Sequence, residues 1–198
     1  MTKPIDPAGF EAKFRADDDP WNYRSSPFER HKRRMVLRAC GLKLRGNALE
    51  LACANGETTW ELAPRCLRLT ALDASPTAVA AAHARVGDRR NVTLGAALLP
   101  DEMPRSRYDL VVLSELAYYL SRRDLEILLE RAVSALRPGG RLVSLHHIRP
   151  FDDAAQPPAR AHALICRILG ARMIPASQSA GPRFRCVAFD KRRIRRAS

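Results

Sequence analysis

The sequence predicts an α/β domain with a mostly parallel sheet and helical crossovers. From Ala48 onward, short apolar runs alternate with stretches of helical periodicity, the rhythm of strand–helix–strand units. The run 108–113 is apolar enough to be buried on both faces, as strands of a parallel sheet are. A chain of 198 residues suits one such domain with a real core.

The first strand is expected at 48–52, with a helix over 56–65. The second, 67–73, ends at Ser75-Pro76, where Ser75 caps the next helix and Pro76 takes a first position that needs no N–H. Alanine-rich 77–86 continues this helix and Gly87 stops it. Strands at 92–94 and 108–113 follow. Ser121 then caps a helix with Asp124 at the capping-box position, and Leu125, Leu128, Leu129, Ala132, Val133 and Leu136 form its apolar stripe. Pro138-Gly139-Gly140 turns the chain into a strand at 141–147. A helix at 159–169 and strands at 171–175 and 184–190 complete the domain. Residues 15–42 read as an extension, helical from about Pro27. The chain thus divides into an N-terminal extension or lid (1–42), a binding domain (43–190) and a basic tail (191–198).

The apolar (46%) and charged (28%) fractions are ordinary for a globular protein. No apolar run approaches the roughly 18 residues of a membrane helix, and the first thirty residues hold no apolar signal core, so a cytoplasmic protein without membrane insertion is expected. Five widely spaced cysteines, without a C-x-x-C pair, argue for buried thiols and against disulfides or a metal site. The net charge of +13 is the abnormal figure. Its two dense runs, Arg30 to Arg38 and Lys191 to Arg196, read as solvated faces and frayed ends, with RNA the alternative partner.

In open α/β sheets ligands lie beyond the carboxyl ends of the strands. Those ends offer Glu50 to Glu57, Asp73, and Ser114 to Tyr119. A dinucleotide fingerprint laid on the first turn falls on Ala52, Ala54 and Glu57, and a carboxylate opening the helix opposes a pyrophosphate. S-adenosylmethionine reverses that logic, because it carries a sulfonium and an ammonium and no phosphate. Asp73, 23 residues after Glu50, then stands near the separation at which an acidic residue receives ribose hydroxyls.

The run 49–56 resembles motif I of class I methyltransferases, Leu72-Asp73-Ala74-Ser75 motif II and Tyr108-Asp109-Leu110-Val111-Val112 motif IV. Leu136-Arg137-Pro138-Gly139-Gly140 resembles the turn before strand five. More narrowly, Asp18-Asp19-Pro20-Trp21-Asn22-Tyr23-Arg24, Glu29-Arg30-His31-Lys32-Arg33, the run 113–120 and the His146 end of strand five are similar to the NodS family, over about 17–190. The resemblance implies a Rossmann-like class I methyltransferase fold with a seven-stranded sheet and an antiparallel C-terminal strand. It implies N-methylation of the free amine of a chitooligosaccharide-like amino sugar, with S-adenosylhomocysteine as product. The chain departs from the superfamily at Ala52 and Ala54, where glycine is usual and a methyl group disfavours positive φ.

On that resemblance Trp21, Tyr23 and Arg24 fold over the cofactor, and Arg24 or Arg30 meets its carboxylate. Glu50, Ala52, Cys53, Ala54, Gly56, Asp73, Ala74, Ser75 and Ser114 surround it, with Ala97 and Leu98 beside the adenine. Glu115, ending a buried strand, is the first acceptor for the amine proton and His146 the second. His146 and His147 are strand neighbours and point to opposite faces. Tyr118 and Tyr119 are expected either to stack on a sugar ring or to cover the core as helix residues. The expected protein is a monomer with a small-molecule or oligosaccharide acceptor. The alternatives are a methyltransferase of RNA or of another small molecule, and a cofactor-binding relative without turnover.

Overall fold

Asp6 accepts a hydrogen bond from the Gly9 amide (2.9 Å) and Pro7 fills the first helical position, and these start α1 (Pro7–Ala16), a helix the periodicity did not predict. The computed structural model describes residues 4–193, so the end of the expected basic tail, 194–198, lies outside the described residues. After α1 come α2 (Pro27–Cys40), β1 (Arg45–Leu51), α3 (Glu57–Leu62), β2 (Cys66–Asp73) and α4 (Pro76–Val86). They are followed by β3 (Val92–Ala96), β4 (Tyr108–Ser114), α5 (Arg122–Ala135), β5 (Leu136–His147), α6 (Pro158–Arg172), β6 (Ile174–Ala180) and β7 (Phe184–Asp190).

The expected caps form. Ser75 accepts from the Ala78 amide (3.0 Å) at the start of α4, and Ser121 from the Asp124 amide (3.1 Å) at the start of α5. The seven strands lie in the order β3-β2-β1-β4-β5-β7-β6, parallel except for β7, which runs antiparallel to both neighbours. This is the anticipated Rossmann-like arrangement. Side chains alternate across β4. Val111 and Leu113 join Leu49, Leu51 and the apolar stripe of α5 in one buried layer. Leu110 and Val112 join Ala48, Val143, Leu145 and α2 in the other. The strand order reverses between β1 and β4, so the crevice opens beyond their carboxyl ends. Among the described residues no helix is long and apolar enough to cross a membrane.

Two expected boundaries shift for physical reasons. Ala171 and Arg172 finish α6 rather than opening a strand, and β6 runs over Ile174–Ala180, exposed at all seven positions. An edge strand with no buried face leaves no alternating signal. β5 begins at Leu136, ahead of the Pro-Gly-Gly turn, because a register shift against β4 absorbs it and the Gly140 carbonyl accepts from the Lys191 amide (2.8 Å).

Gly56 precedes α3 at φ 81°, and a Cβ there would lie 2.9 Å from the Cα and Cβ of Ala82 on α4. Gly56→Ala adds that clash to a left-handed backbone costing about 1–2 kcal/mol. Urea unfolding of the variant is expected to show a loss above about 2 kcal/mol; an unchanged midpoint removes Gly56 from the packing of α3 on α4.

Candidate active site

The turn from β1 into α3 is built from alternating left-handed residues: Ala52 at φ 61°, Ala54 at 49° and Gly56 at 81°. Alanine costs about 1–2 kcal/mol in that conformation, so the surroundings must impose it. They do so through hydrogen bonds. The Ala54 amide donates to Asp73 Oδ2 (2.9 Å) and the Cys53 amide to the Leu72 carbonyl (2.9 Å). Asp73 Oδ1 accepts from the Ser75 amide (3.0 Å), so one carboxylate holds both strand-end turns. Burial raises its pKa, against the lowering effect of the Ser75 and Ala54 amides.

Beyond these turns lies a cavity of about 530 Å³. Its floor is Ala52, Ala54, Asp73 and Ala74. Ala97 and Leu98 form one wall, and Ser114, Glu115, Tyr118, Tyr119, His147 and Phe151 the other. A second pocket of about 50 Å³ shares Tyr23, Ala52, Ala54, Ser114 and Glu115 with it and adds Glu50, Cys53 and Asn55. Glu50 Oε2 and Asn55 Oδ1 are buried there without hydrogen-bond partners among the described residues. Burial pushes the Glu50 carboxyl up to about 8, and the nearby Asp73 adds to the shift.

The N-terminal extension roofs the cavity. Trp21 packs on Phe14 (5.5 Å between centroids) and Tyr23 (5.8 Å), while Phe10 meets Tyr119 edge-on (4.7 Å). Polar ties fix this roof. Glu11 accepts from Ser75 Oγ and Thr77 Oγ1, each at 2.7 Å, and Asn55 Nδ2 donates to Asp19 Oδ1 (2.9 Å). Arg33 Nη1 donates to the Tyr23 carbonyl (2.6 Å).

Glu115 stands at a strained φ of 55° just after β4. Its Oε1 accepts from the His147 amide (3.1 Å) and faces Lys32 Nζ at 3.3 Å, while its Oε2 accepts from the Tyr118 hydroxyl. Lys32 is itself buried and also pairs with Glu29 (2.9 Å). Around the larger cavity four carboxylates, Glu29, Asp73, Glu115 and Asp153, oppose two lysines, Lys13 and Lys32. In a chain of net charge +13 this wall is acidic.

Most residues expected at the site thus stand together: Trp21, Tyr23, Glu50, Ala52, Cys53, Ala54, Asp73, Ala74, Ala97, Leu98, Ser114, Glu115, Tyr118 and Tyr119 line the two pockets. Gly56 and Ser75 lie behind that surface, the one starting α3 and the other buried as the cap of α4. Three expectations are corrected. Arg24 is exposed and pairs with Asp18 (2.8 Å), and Arg30 lies on the solvent face of α2, so neither lines a pocket. His146 points into the core layer of α5 and α6 behind Tyr118 (6.0 Å between rings), wholly buried and lining neither pocket, its Nδ1 2.9 Å from Ser144 Oγ. Burial, with His162 and Lys32 in support, pushes it down to about 3, which leaves a neutral ring within the fold. His147, on the other face, reaches the cavity.

The run 30–38 is likewise not wholly a solvated face, since Lys32 and Arg33 are buried. Glu29, Lys32, Arg33, Val36 and Cys40 follow the helical spacing of a single face, and that periodicity was the available signal. Phe10, Phe14 and Phe151 were also missed; they sit in segments without a periodic pattern.

The family described as Nodulation protein S (NodS) matches residues 10–147, well over half of the chain. The chain belongs to the NodS family. Nodulation protein S of Rhizobium tropici is 33% identical over 130 residues, 65% of this chain and 55% of that one. The chain spans 55% to 62% of the length of three such NodS relatives. The N-methyltransferase NodS from Bradyrhizobium japonicum WM9, in complex with S-adenosyl-l-homocysteine, superposes with a TM-score of 0.80 at 26% identity, covering 93% of this chain and 97% of that one. A putative methyltransferase from Pseudomonas syringae gives 0.72 at 31% identity, over 83% and 99%. The fold of this NodS-family chain is the Rossmann-like class I methyltransferase fold.

The raised pKa of Glu50 has a consequence for stability. From an ordinary value of 4.5 to about 8 the folded state holds a proton that the unfolded chain has lost. Stability conferred by this group is therefore complete below about 4.5 and declines as pH rises to about 8. Glu50→Gln is expected to flatten that decline in urea unfolding measured across the range, and a parallel pH profile for the variant excludes a buried, protonated Glu50.

Proposed function

We propose that this chain is an S-adenosylmethionine-dependent N-methyltransferase acting on the free amine of a chitooligosaccharide-like amino sugar, as a cytoplasmic monomer. The observation that carries this reading is the acidic cavity inside a basic protein. Such a wall draws a sulfonium, an ammonium and a protonated acceptor amine, and it repels the phosphates of RNA or a dinucleotide.

The residues fit the cofactor. Asp73 offers its carboxylate to ribose hydroxyls at the cavity floor, and Ala97 and Leu98 offer a slot for the base. The unpartnered Glu50 Oε2 and Asn55 Oδ1 beside the smaller pocket suit an ammonium. When bound, S-adenosylmethionine supplies a methyl group on a sulfonium that is already a good leaving group.

The protein's part is alignment and proton handling. An amine attacks only when neutral, and Glu115 stands at the wall to take its proton. Tyr118, Lys32 and the His147 amide fix the Glu115 carboxylate. Tyr119, Phe151 and Phe10 present ring faces and edges to a sugar. The aromatic roof excludes water from the transfer.

Radiolabelled methyl is expected to move from S-adenosylmethionine to a deacetylated chitin oligomer and not to its fully acetylated counterpart or to RNA; transfer to RNA alone overturns the acceptor. Glu115→Gln is expected to lower kcat about 100-fold or more with cofactor affinity retained. An unaltered rate removes Glu115 from the chemistry. Asp73→Asn is expected to weaken cofactor binding in calorimetry about ten-fold or more, as loss of a charged hydrogen-bond partner does.

A further inference from the structure

The charge of +13 does not belong to the cavity, so the excess must lie elsewhere. The topology gathers part of it. β1, β2, β3, β4 and β5 are parallel, and β6 shares their direction because both it and β5 are antiparallel to β7. Their starts and the end of β7 therefore meet at one pole, opposite the cavity. Lys43, Arg68, Arg90, Arg105, Arg107 and Arg192 lie exposed on the segments that enter or leave this pole, and none takes part in an ion pair among the described residues. Two of the acids there are already matched, Asp109 by Arg137 (2.8 Å) and Asp190 by Arg141 (2.7 Å).

The exposed aliphatic side chains gather at the same pole. Leu42 (100% exposed) and Leu44 (60%) lead into β1, Leu67 (61%) is the second residue of β2, and Ile174 (46%) is the first of β6. The other two large exposed hydrophobics among the described residues are accounted for. Leu98 lines the cavity, and Trp60 lies between the guanidiniums of Arg85 (4.2 Å) and Arg89 (5.2 Å).

We propose that this pole docks the protein peripherally on an anionic bilayer, with Leu42, Leu44, Leu67 and Ile174 entering the interface and the surrounding basic residues meeting lipid phosphates. Apolar side chains projecting from a basic surface gain from the acyl boundary and from anionic headgroups together. RNA fits the pole less well. Single strands are held by stacking on aromatic rings, and the aromatic side chains on the strands at this end of the sheet, Tyr108 and Phe189, are buried. Docked in this way, the protein keeps its cavity mouth turned toward solvent, so the inference stands independently of what the cavity binds.

Co-sedimentation of the full chain with vesicles tests it. Binding is expected to phosphatidylcholine vesicles containing phosphatidylglycerol, to weaken as salt rises, and to be absent with phosphatidylcholine alone. Leu42→Ser with Leu67→Ser is expected to lower partitioning several-fold while leaving circular dichroism and the thermal midpoint unchanged, since both side chains are exposed. Arg68→Ala with Arg90→Ala is expected to lower it about 25-fold, at about five-fold per charge. Arg122→Ala with Arg123→Ala, an equal loss of charge at the start of α5, is expected to leave it near the parent value. Failure to sediment with anionic vesicles overturns the proposal. So does equal loss from the two arginine pairs, or a single-stranded RNA that binds in preference to the vesicles and is indifferent to the leucine changes.

Discussion

One carboxylate, that of Asp73, is the constraint on which the site's architecture rests. Its two oxygens receive amides from the turns after β1 and after β2, and so fix how the two central crossovers leave the sheet. The rest is attached in sequence. Ser75, placed by Asp73, caps α4 and also donates to Glu11, which seats α1. Asn55, on the turn that Asp73 holds, donates to Asp19 and so fastens the aromatic roof. The cavity is thus assembled outward from the strand ends by hydrogen bonds, and apolar packing of the roof closes it.

The charge distribution separates two tasks that a net figure conceals. Carboxylates outnumber lysines on the wall where ligands enter, while basic side chains unpaired among the described residues stand exposed at the far end of the sheet. A seven-residue strand such as β1 spans about 23 Å. Charges that far apart are screened from one another at physiological salt, where the Debye length is about 8 Å. A strongly basic protein can therefore maintain an acidic binding wall.

Much of this was legible in the sequence. Caps at Ser75 and Ser121, the apolar stripe of α5 and the buried run of β4 are local signals that the packing follows. The residues at the strand ends were legible because an open sheet fixes where its ligands lie. What was lost depended on contacts distant in the chain. Lys32 is enclosed between Glu29 on its own helix and Glu115, 83 residues away, and the helical spacing that marks its face does not reveal the distant partner. The choice between His146 and His147 turned on strand phase alone, and a neighbour-by-neighbour reading selected the face that points into the core. β6 was placed too early, at 171–175, because none of its seven positions is buried and no alternation marks its bounds.

The left-handed alanines bear on how such chains diverge. Because a side chain on the adjacent strand holds the turn, its path at positions 52 and 54 does not depend on a missing Cβ. Positions 52 and 54 then tolerate alanine, whereas Gly56, packed against Ala82, and the aspartate at the end of β2 keep their identities. The shape of the loop is thus written in the neighbouring strand, and a methyl group at either alanine costs the cavity floor little more than the strain that Asp73 already offsets.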